Sequence, residues 1–255
     1  MNMLSRFWGR RERQSEPSAP RGVRLYAVGD IHGHAALLDA MLGAIEEDIA
    51  ARAGARAILI FLGDYIDRGP DSAAVVERLR TLSGPFQPLF IAGNHEEVLL
   101  RILEGEDGLV QDWLRFGGAE CAASYGLAPA KLRAMAPRSA AARVRSAVPA
   151  AHRQFLRGLA DSFTAGDYLF VHAGIRPGIA LEEQTLKDLR WIRVPFLDHD
   201  EPHAKVVVHG HSITDEVEFR AGRIGVDTGA YRSGLLSAVV LEGTERRVLQ
   251  VGERG

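Results

Sequence analysis

The chain has 255 residues, of which 46% are hydrophobic and 25% are charged, and its formal net charge is −2. This composition is that of a globular protein with one sizeable core, and the charge provides no bulk attraction to nucleic acid or to an anionic membrane. No apolar run reaches the roughly 18 residues that a membrane span requires, so we expect neither a nucleic-acid partner nor membrane association.

The first 22 residues are rich in arginine and small polar residues, and they contain no apolar stretch long enough for a signal peptide. We expect residues 1–22 to form a disordered basic leader, with weak binding to an anionic surface as the alternative. Residues 23–255 are expected to form a single domain. Cys121 is the only cysteine, so no intramolecular disulfide can form, and we expect a cytoplasmic location.

Three apolar runs alternate with three helical patterns in the first part of this domain. The runs RLYAV (24–28), AILIFL (57–62) and PLFIA (88–92) each end in Gly-Asp or Gly-Asn, and a segment with helical spacing of its apolar residues follows. Such apolar runs are typical of strands that are buried on both faces, and they predict a parallel sheet covered by helices. In sheets of this kind, ligands bind beyond the carboxyl ends of the strands.

The second part of the chain changes character twice. From about residue 109 to residue 163 it is rich in alanine and arginine and is interrupted by prolines, which predicts a helical insert within the domain. The segments YLFVHAG, KVVVHGH, RIGVDTG and LLSAVVLEG then follow as short apolar runs of β type. They predict a second sheet that faces the first.

Metal-binding side chains follow the predicted strands in both parts of the chain. They are Asp30, His32, Asp64, Asn94, His95, His172 and His211. Oxygen and imidazole donors suit Mn, Fe or Zn, and the absence of thiolates argues against an iron–sulfur site. A pair of metals about 3.5–4 Å apart needs a bridging ligand, and Asp64 is the natural candidate. A Gly-Asp pair after one strand is commonly only a turn, but the ordered set of motifs indicates a metal site.

These motifs, GDIHG, GDYIDRG, GNHE, HAG and HGH, closely resemble those of the metallophosphoesterases. Among them they look most like the phosphoprotein phosphatase family of serine/threonine phosphatases, in its compact bacterial and phage form. The resemblance runs from about Leu25 to Glu242. It implies an α/β fold of four layers, with two facing mixed β-sheets flanked by helices.

The resemblance also implies two divalent metal ions, for which Mn is expected and Fe or Zn is possible. The first would be held by Asp30, His32 and Asp64, and the second by Asp64, Asn94, His172 and His211. His209 is the alternative to His211, because it is the other histidine of the HGH motif. Asp227 is interpreted either as a turn residue or as a carboxylate that supports His211.

Four further residues receive catalytic roles from the same resemblance, which implies hydrolysis of a phosphomonoester by direct attack of a metal-bridging hydroxide. His95 would be the general acid, and Asp67 the carboxylate that orients it and favours its protonated form. The planar donors of Arg68 suit phosphate oxygens, although a surface salt bridge between Asp67 and Arg68 is the alternative. Arg193 is expected to be a second phosphate clamp, with Arg190 as its competitor.

Three functions remain open at this stage. We expect a protein serine/threonine phosphatase whose substrate is a phosphorylated protein or a small phosphoester. The nearest alternative is a dinucleotide polyphosphate hydrolase of the diadenosine tetraphosphatase type, whose members usually lack the aspartate that is Asp67 here. A non-catalytic scaffold that binds phospho-ligands is the third, and the complete ligand set argues against it. The oligomeric state is not indicated.

Overall fold

The computed structural model describes residues 16–253 of the chain. Residues 1–15 of the expected leader lie outside this range. Residues 16–22 pack on the domain, since Ala19 is buried and its N–H donates to the carbonyl oxygen of Gly243 over 2.8 Å. The N–H of Ser18 likewise donates to the carboxylate of Asp167 over 2.9 Å. This part of the expected leader therefore lies against the domain, because the backbone N–H groups of Ser18 and Ala19 find partners there.

Strands and helices alternate in the first part of the domain, as the sequence indicates. The strands are β1 (Val23–Val28), β2 (Arg56–Phe61), β3 (Gln87–Phe90), β4 (Ser162–Ala165), β5 (Tyr168–Val171), β6 (Val206–His209), β7 (Glu218–Phe219), β8 (Arg223–Gly225), β9 (Leu235–Glu242) and β10 (Glu245–Gly252). The helices are α1 (Ala35–Ala51), α2 (Ser72–Arg80), α3 (Asn94–Glu104), α4 (Val110–Trp113), α5 (Ala119–Ser124), α6 (Pro129–Arg133), α7 (Pro137–Ala147), α8 (Ala150–Arg157), α9 (Leu186–Trp191) and α10 (Ala230–Ser233). Within the described range, no helix is both long and apolar enough to span a membrane.

The strands form two mixed sheets of five strands each. The order in the first sheet is β10-β9-β1-β2-β3, in which β1, β2 and β3 are parallel while β9 and β10 are antiparallel to their neighbours. The order in the second is β4-β5-β6-β8-β7, with parallel central strands and antiparallel edge strands. The predicted pair of mixed sheets is confirmed.

The strand β9 lies in the first sheet, so the expectation that it belongs to the second is wrong. It pairs with β1, and both of its faces are buried. Leu236, Ala238 and Val240 pack with the helices, whereas Val239 and Leu241 pack between the sheets. A strand buried on both faces has the same apolar pattern in either sheet, which is why the sequence could not assign it.

The buried side chains of the described residues form three clusters, which lie between the successive layers of helices and sheets. Along β1, Tyr26 and Val28 face the helices, while Leu25 and Ala27 face the second sheet, as the two-residue period of a strand requires. A further cluster on the outer face of the second sheet packs β5 and β6 against α9. The sheets are thus sandwiched between helices.

The segment expected to be a helical insert contains α4 to α8 and ends at Arg157, and β4 begins at Ser162. Trp113, Val144 and Leu156 of this segment are buried in the same cluster as residues of α1, α2 and α3. The insert therefore shares a core with the domain, and it lies beside the start of α3, which carries two of the predicted site residues.

Candidate metal and phosphate site

The predicted ligands lie together at the carboxyl ends of strands from both sheets. Asp30 and His32 follow β1, Asp64 follows β2, Asn94 and His95 begin α3 after β3, and His172 and His211 follow β5 and β6. All of them are buried. The topology therefore brings together side chains that are up to 181 residues apart, as the contact of Asp30 with His211 illustrates.

The donor atoms form two overlapping groups that share Asp64. Donor atoms of His32, Asp64 and His95 lie within 4.8 Å of one another, and so do those of Asp64, His172 and His211. The Nε2 atom of His32 is 3.7 Å from Oδ2 of Asp64, and that of His172 is 3.4 Å from Oδ1. Asp64 thus presents a different oxygen to each group, which is the arrangement that a bridging carboxylate needs.

Asn94 and His211 complete the second group. The amide oxygen of Asn94 is 3.0 Å from Nε2 of His172. The Nε2 atom of His211 is buried and has no hydrogen-bond partner among the described residues. Burial and the nearby His172 lower the pKa of His211 to about 2, so the ring is neutral, as a metal ligand must be. A buried nitrogen without a partner is costly, and a divalent ion fits this donor set.

The turn after β2 sets the tautomers of two imidazoles. Nδ1 of His32 lies 2.9 Å from the carbonyl oxygen of Ile66, and Nδ1 of His172 lies 2.8 Å from that of Leu62. A carbonyl oxygen only accepts, so each Nδ1 carries a proton and each Nε2 is directed to the side of Asp64. The segment that carries Asp64 therefore also orients its two neighbours.

Asp30 is placed differently from the predicted arrangement. Within residues 16–253 its carboxylate belongs to neither donor group, and it accepts the backbone N–H of His211, which is 3.1 Å from each carboxylate oxygen. Burial, together with the charges of Asp227 and Asp64, raises the pKa of Asp30 well above its usual value. Asp30 lies in the same charged cluster, and its role as a ligand stays a prediction.

Asp227 is a turn residue that also contributes negative charge to this cluster. Its carboxylate accepts the N–H of Gly229 over 2.8 Å, as in a tight turn. Burial and the charge of Asp64 raise the pKa of Asp227 to about 6. The hydrogen bond of Asp227 to Gly229 agrees with the interpretation as a turn residue. The charge of Asp227 also raises the pKa of Asp30.

His95 and Asp67 form a buried pair beside the donor groups. Nδ1 of His95 is 2.7 Å from Oδ2 of Asp67, and the indole N–H of Trp113 donates to both oxygens of Asp67 over 3.1 Å. Burial disfavours the charged ring, but the carboxylates of Asp64 and Asp67 outweigh it and raise the pKa of His95 to about 9. Asp67 is completely buried, so the alternative of a surface salt bridge is wrong.

Arg68 projects from the same turn toward His95. Its Nη2 atom is 3.2 Å from Nε2 of His95, and its guanidinium carbon lies 4.4 Å from the centre of the Tyr231 ring. The backbone N–H of Arg68 donates to the carbonyl oxygen of Gly117 over 2.9 Å, which connects this turn to the helical insert. The arginine is thus held with its donors directed into the site.

Arg193 and Arg190 differ in the groups that they contact. Arg193 lies next to the donor groups, with Nη2 at 3.4 Å from the carbonyl oxygen of His211. Arg190 instead pairs with the carboxylates of Glu97 and Asp161, at 3.2 Å and 2.5 Å. This geometry favours Arg193 as the arginine available to a phosphate.

His209 does not reach the donor groups. Its Nδ1 atom is 3.0 Å from the carbonyl oxygen of Gly210, and its ring packs edge-on against Phe196 at 5.0 Å between centroids. Since neither donor group among the described residues includes His209, the choice of His211 over His209 agrees with the geometry.

The site is built on unusual backbone conformations. Left-handed φ values occur at His32 (46°), Asp64 (51°), Asp67 (71°), Arg68 (66°) and His211 (63°). Non-glycine residues rarely adopt this region, and such conformations concentrate at functional sites because the surrounding structure has to hold them. Gly63 has a φ of 104°, and a Cβ atom there would lie 2.7 Å from the backbone nitrogen of Gly93.

Sequence reasoning missed Glu96 as a site residue. Its carboxylate is buried and accepts the N–H groups of Gly93, Asp64, Tyr65 and Ile66 over 2.8–3.2 Å. Burial and the charge of Asp64 raise the pKa of Glu96 to about 7. Its position as the third residue of α3, typical of a capping box, was the available signal. Trp113 and Tyr231 had no such signal, because they contact the site only through the tertiary fold.

A cavity of about 420 Å³ opens beside these residues. Its lining combines residues of the site with apolar side chains from α3, the helical insert and α9, and it also includes the charged residues Arg101 and Asp112. The lining residues are Asp67, Arg68, Asn94, His95, Val98, Arg101, Leu109, Asp112, Trp113, Phe116, Trp191, Arg193 and His211. The charged groups therefore face a space large enough for a small molecule, since such pockets measure roughly 300–1,000 Å³.

Comparison with known proteins identifies similar chains. The family model for calcineurin-like phosphoesterases matches residues 23–231. Bis(5'-nucleosyl)-tetraphosphatase PrpE (asymmetrical) of Anoxybacillus flavithermus is 27% identical over 232 residues, which cover 83% of this chain and 88% of the relative. Serine/threonine-protein phosphatase 2 of Escherichia coli is 38% identical over 96 residues, which cover 37% of this chain and 38% of the relative.

Solved structures show the same fold. The crystal structure of a protein assigned as a diadenosine tetraphosphatase superposes with a TM-score of 0.61 at 23% identity, and the match covers 92% of this chain and 96% of the other. At this identity the likeness concerns the fold, which agrees with the two sheets and flanking helices described above.

Proposed function

The chain belongs to the calcineurin-like phosphoesterase family, and from this premise we propose that it is a metal-dependent hydrolase of dinucleoside polyphosphates. The resemblance to metallophosphoesterases of the phosphoprotein phosphatase type is confirmed by the family match and by the Escherichia coli relative. The expectation of a protein serine/threonine phosphatase is supported less well than the alternative, because the relative that matches most of the chain is a nucleosyl tetraphosphatase.

The observation that carries the proposal is the cavity beside the metal-binding side chains. Its lining contains both the arginines Arg68 and Arg193 and the apolar residues Val98, Leu109 and Phe116. A dinucleoside polyphosphate combines a strongly charged phosphate chain with flat, weakly polar bases. The cationic and apolar groups of one small cavity suit the two parts of such a molecule.

The metal-binding residues fit two divalent ions, for which we propose Mn²⁺. His32 and Asp64, with the adjacent Asp30, would hold the first ion, and Asp64, Asn94, His172 and His211 would hold the second. When bound, such ions offset phosphoryl charge and lower the pKa of a water molecule.

The side chains of the protein would divide the remaining tasks. Arg68 and Arg193 would bind the phosphate oxygens and orient the phosphorus. Nε2 of His95 faces Arg68 and the cavity, and in the protonated form of the ring it would give its proton to the departing oxygen. Asp67 accepts from Nδ1 and keeps the imidazole in this orientation.

Protein serine/threonine phosphatase activity is the second candidate, and a specific observation favours it. Asp67, the second aspartate of the GDYIDRG motif that resembles the protein phosphatases, pairs with His95 over 2.7 Å. An alkoxide leaving group needs a proton donor more than a phosphate leaving group does, so a well-held His95 suits a phosphoserine substrate.

A comparison of two substrates with the Mn²⁺-loaded protein tests the proposal. We expect the kcat/KM for diadenosine tetraphosphate to exceed that for a phosphoserine peptide by about tenfold or more, which corresponds to about 1.4 kcal/mol of transition-state binding. The Asp64→Asn variant should lose both activities, whereas Asp39→Asn, at an exposed position on α1, should keep them. A preference for the phosphopeptide would replace the first candidate by the second, and turnover that survives chelation would contradict both.

A further inference from the structure

Phe116 is an exposed aromatic residue at the mouth of the cavity. It is 65% exposed, although it lines the same space as Arg68 and His95. It lies in the kinked segment Leu114–Gly118 between α4 and α5, where the backbone leaves helical geometry at Phe116 (φ −95°, ψ 23°) and Gly117 (φ 111°).

This turn is attached to the phosphate-binding arginine. The carbonyl oxygen of Gly117 accepts the backbone N–H of Arg68 over 2.9 Å. A Cβ atom on Gly117 would lie 2.7 Å from Cγ of Arg68, so the two backbones approach as closely as glycine allows. Phe116 is therefore held at a fixed position relative to Arg68.

Trp113 also packs against this turn. The backbone of Gly118 lies against the indole of Trp113, where a side chain at Gly118 would overlap the ring. Trp113 itself is buried and donates to Asp67. The exposed ring of Phe116 thus stands on a scaffold that is continuous with the Asp67–His95 pair.

The wall around Phe116 is apolar and aromatic. Val98, Leu109, Trp113 and Trp191 line the cavity with it, and Trp191 is positioned by its indole N–H, which donates to Glu97 over 3.2 Å. An aromatic platform beside cationic groups is the combination by which proteins bind a nucleotide, because the base stacks while the arginines hold the phosphates.

We propose that Phe116 and this wall form a nucleobase subsite, in which the base of a nucleotide stacks on Phe116 while its phosphates lie at Arg68 and Arg193. This inference rests on the proposed function and adds the element that selects the substrate class. It assigns to the helical insert the task of recognising the base.

Binding of AMP to the Mn²⁺-loaded protein tests the subsite directly. Trp113 and Trp191 both line the cavity, so tryptophan fluorescence reports occupancy. We expect Phe116→Ala to weaken AMP binding by about tenfold and to leave the affinity for inorganic phosphate unchanged, because stacking on an aromatic side chain contributes about 1–3 kcal/mol per base. Phe116→Tyr should bind AMP like the unaltered protein, since the ring is kept.

Phe219→Ala is the matched control. Phe219 is also an exposed phenylalanine, 42% accessible, and lies on the short strand β7 outside the cavity. This variant should bind AMP and hydrolyse diadenosine tetraphosphate as the unaltered protein does. An equal loss in Phe219→Ala and Phe116→Ala would contradict the subsite, because a specific stacking position would not exist.

The outcomes separate the subsite from the proposed function. If diadenosine tetraphosphate is hydrolysed but Phe116→Ala binds AMP normally, the function stands and the subsite is wrong. If AMP binding depends on Phe116 but no dinucleoside polyphosphate is hydrolysed, the subsite stands and the proposed function is wrong. If Phe116→Ala instead weakens only a phosphopeptide, the cavity is a peptide site and the inference is overturned.

Discussion

Single side chains hold the residues of the candidate site in place. Glu96 accepts four backbone N–H groups, three of them from the turn that carries Asp64. Asp67 accepts from His95 and Trp113. The strained turn that bears Asp64 needs such partners, because its backbone groups have no strand or helix to pair with.

The first prediction concerns Glu96. Glu96→Gln replaces one accepting oxygen by an NH₂ group, so at least one buried N–H of the turn loses its partner. We expect the free energy of unfolding to fall by about 1–3 kcal/mol, measured by urea denaturation. Glu104→Gln, on the exposed side of the same helix, should change it by less than about 0.5 kcal/mol. Equal effects at both positions would show that Glu96 does not hold the turn.

The second prediction concerns the proton that His95 would deliver. An alkyl phosphate needs protonation of its leaving group, whereas p-nitrophenyl phosphate does not. We therefore expect His95→Gln to lower kcat for the alkyl ester by about 10²–10⁴-fold and to affect p-nitrophenyl phosphate much less. Asp67→Asn should show the same substrate dependence. A uniform loss on both substrates would mean that His95 acts through the metal-binding groups, since its Nε2 lies 3.9 Å from Asp64.

Secondary-structure elements determine where these residues meet. Asp64 and Asn94 end neighbouring parallel strands of the first sheet, and His172 and His211 end neighbouring parallel strands of the second. The close approach of the turns after β2 and β3 depends on Gly63 and Gly93, because no space remains for a Cβ atom on either.

The third prediction compares two glycines with similar backbone conformations. Gly63 has a φ of 104° and Gly54 a φ of 111°, but a Cβ atom would meet the backbone of Gly93 only at position 63. Gly54→Ala should cost about 1–2 kcal/mol of unfolding free energy from the left-handed conformation alone. Gly63→Ala should cost more and should also weaken Mn²⁺ binding, measured by calorimetry. Equal costs with unchanged Mn²⁺ binding would contradict the close approach.

The fourth prediction concerns the attachment of α1 to the first sheet. Asp48 on α1 accepts the hydroxyl of Tyr26 on β1 over 2.7 Å and two donors of Arg247 on β10 over 2.8 and 3.1 Å. Burial alone would raise the pKa of Asp48, but these hydrogen bonds outweigh it and lower the pKa. Since the pKa is lower in the folded state, Asp48 stabilises the fold above its unfolded value of about 3.9, and this stabilisation is lost as the pH falls through the folded value.

Asp48→Asn should therefore lower the free energy of unfolding at pH 7 by about 1–3 kcal/mol. The difference from the unaltered protein should shrink as the pH falls below about 4 and through the lowered pKa of folded Asp48, below which both proteins carry a neutral side chain. Urea denaturation at pH 7 and at a pH below the folded pKa of Asp48 measures this difference in unfolding free energy. Asp39→Asn, also on α1 but exposed, is the control and should show almost no difference at either pH. If the difference in unfolding free energy between Asp48→Asn and the unaltered protein persists at low pH, it arises from packing and not from the charge of Asp48.

Considered as a whole, the molecule joins its two sheets at the candidate metal site. The first sheet supplies Asp64 and Asn94, and the second supplies His172 and His211. An ion that binds ligands from both sheets stabilises the folded state, because the unfolded chain does not assemble them.

The fifth prediction follows from this linkage. Mn²⁺ at about 100 times its Kd should stabilise the protein by about 2.7 kcal/mol, which is a rise in Tm of roughly 5–10 °C. Chelation should reverse the rise, and calorimetry measures it. His172→Ala should clearly reduce the shift, because it removes a residue that would hold the second ion, whereas His152→Ala, at another buried histidine that pairs with Glu77 and Tyr125, should keep it. A shift that is equal in both variants would place the ion elsewhere.

The amino-acid sequence by itself determined the family, the two-sheet α/β fold and which side chains gather at the strand ends. The family follows from the resemblance of the motifs. The strands and the residues at their ends follow from local patterns, since apolar runs specify buried strands and a Gly-Asp or Gly-Asn after each run of the first sheet places a polar group at the sheet edge. The tertiary structure alone decided that β9 joins the first sheet, that Asp30 contacts the His211 backbone, and that Glu96, Trp113 and Tyr231 support the site. It also placed Phe116 next to Arg68. These contacts join residues that are distant in the chain, and the pairing of distant surfaces depends on how whole layers pack, which no local pattern records.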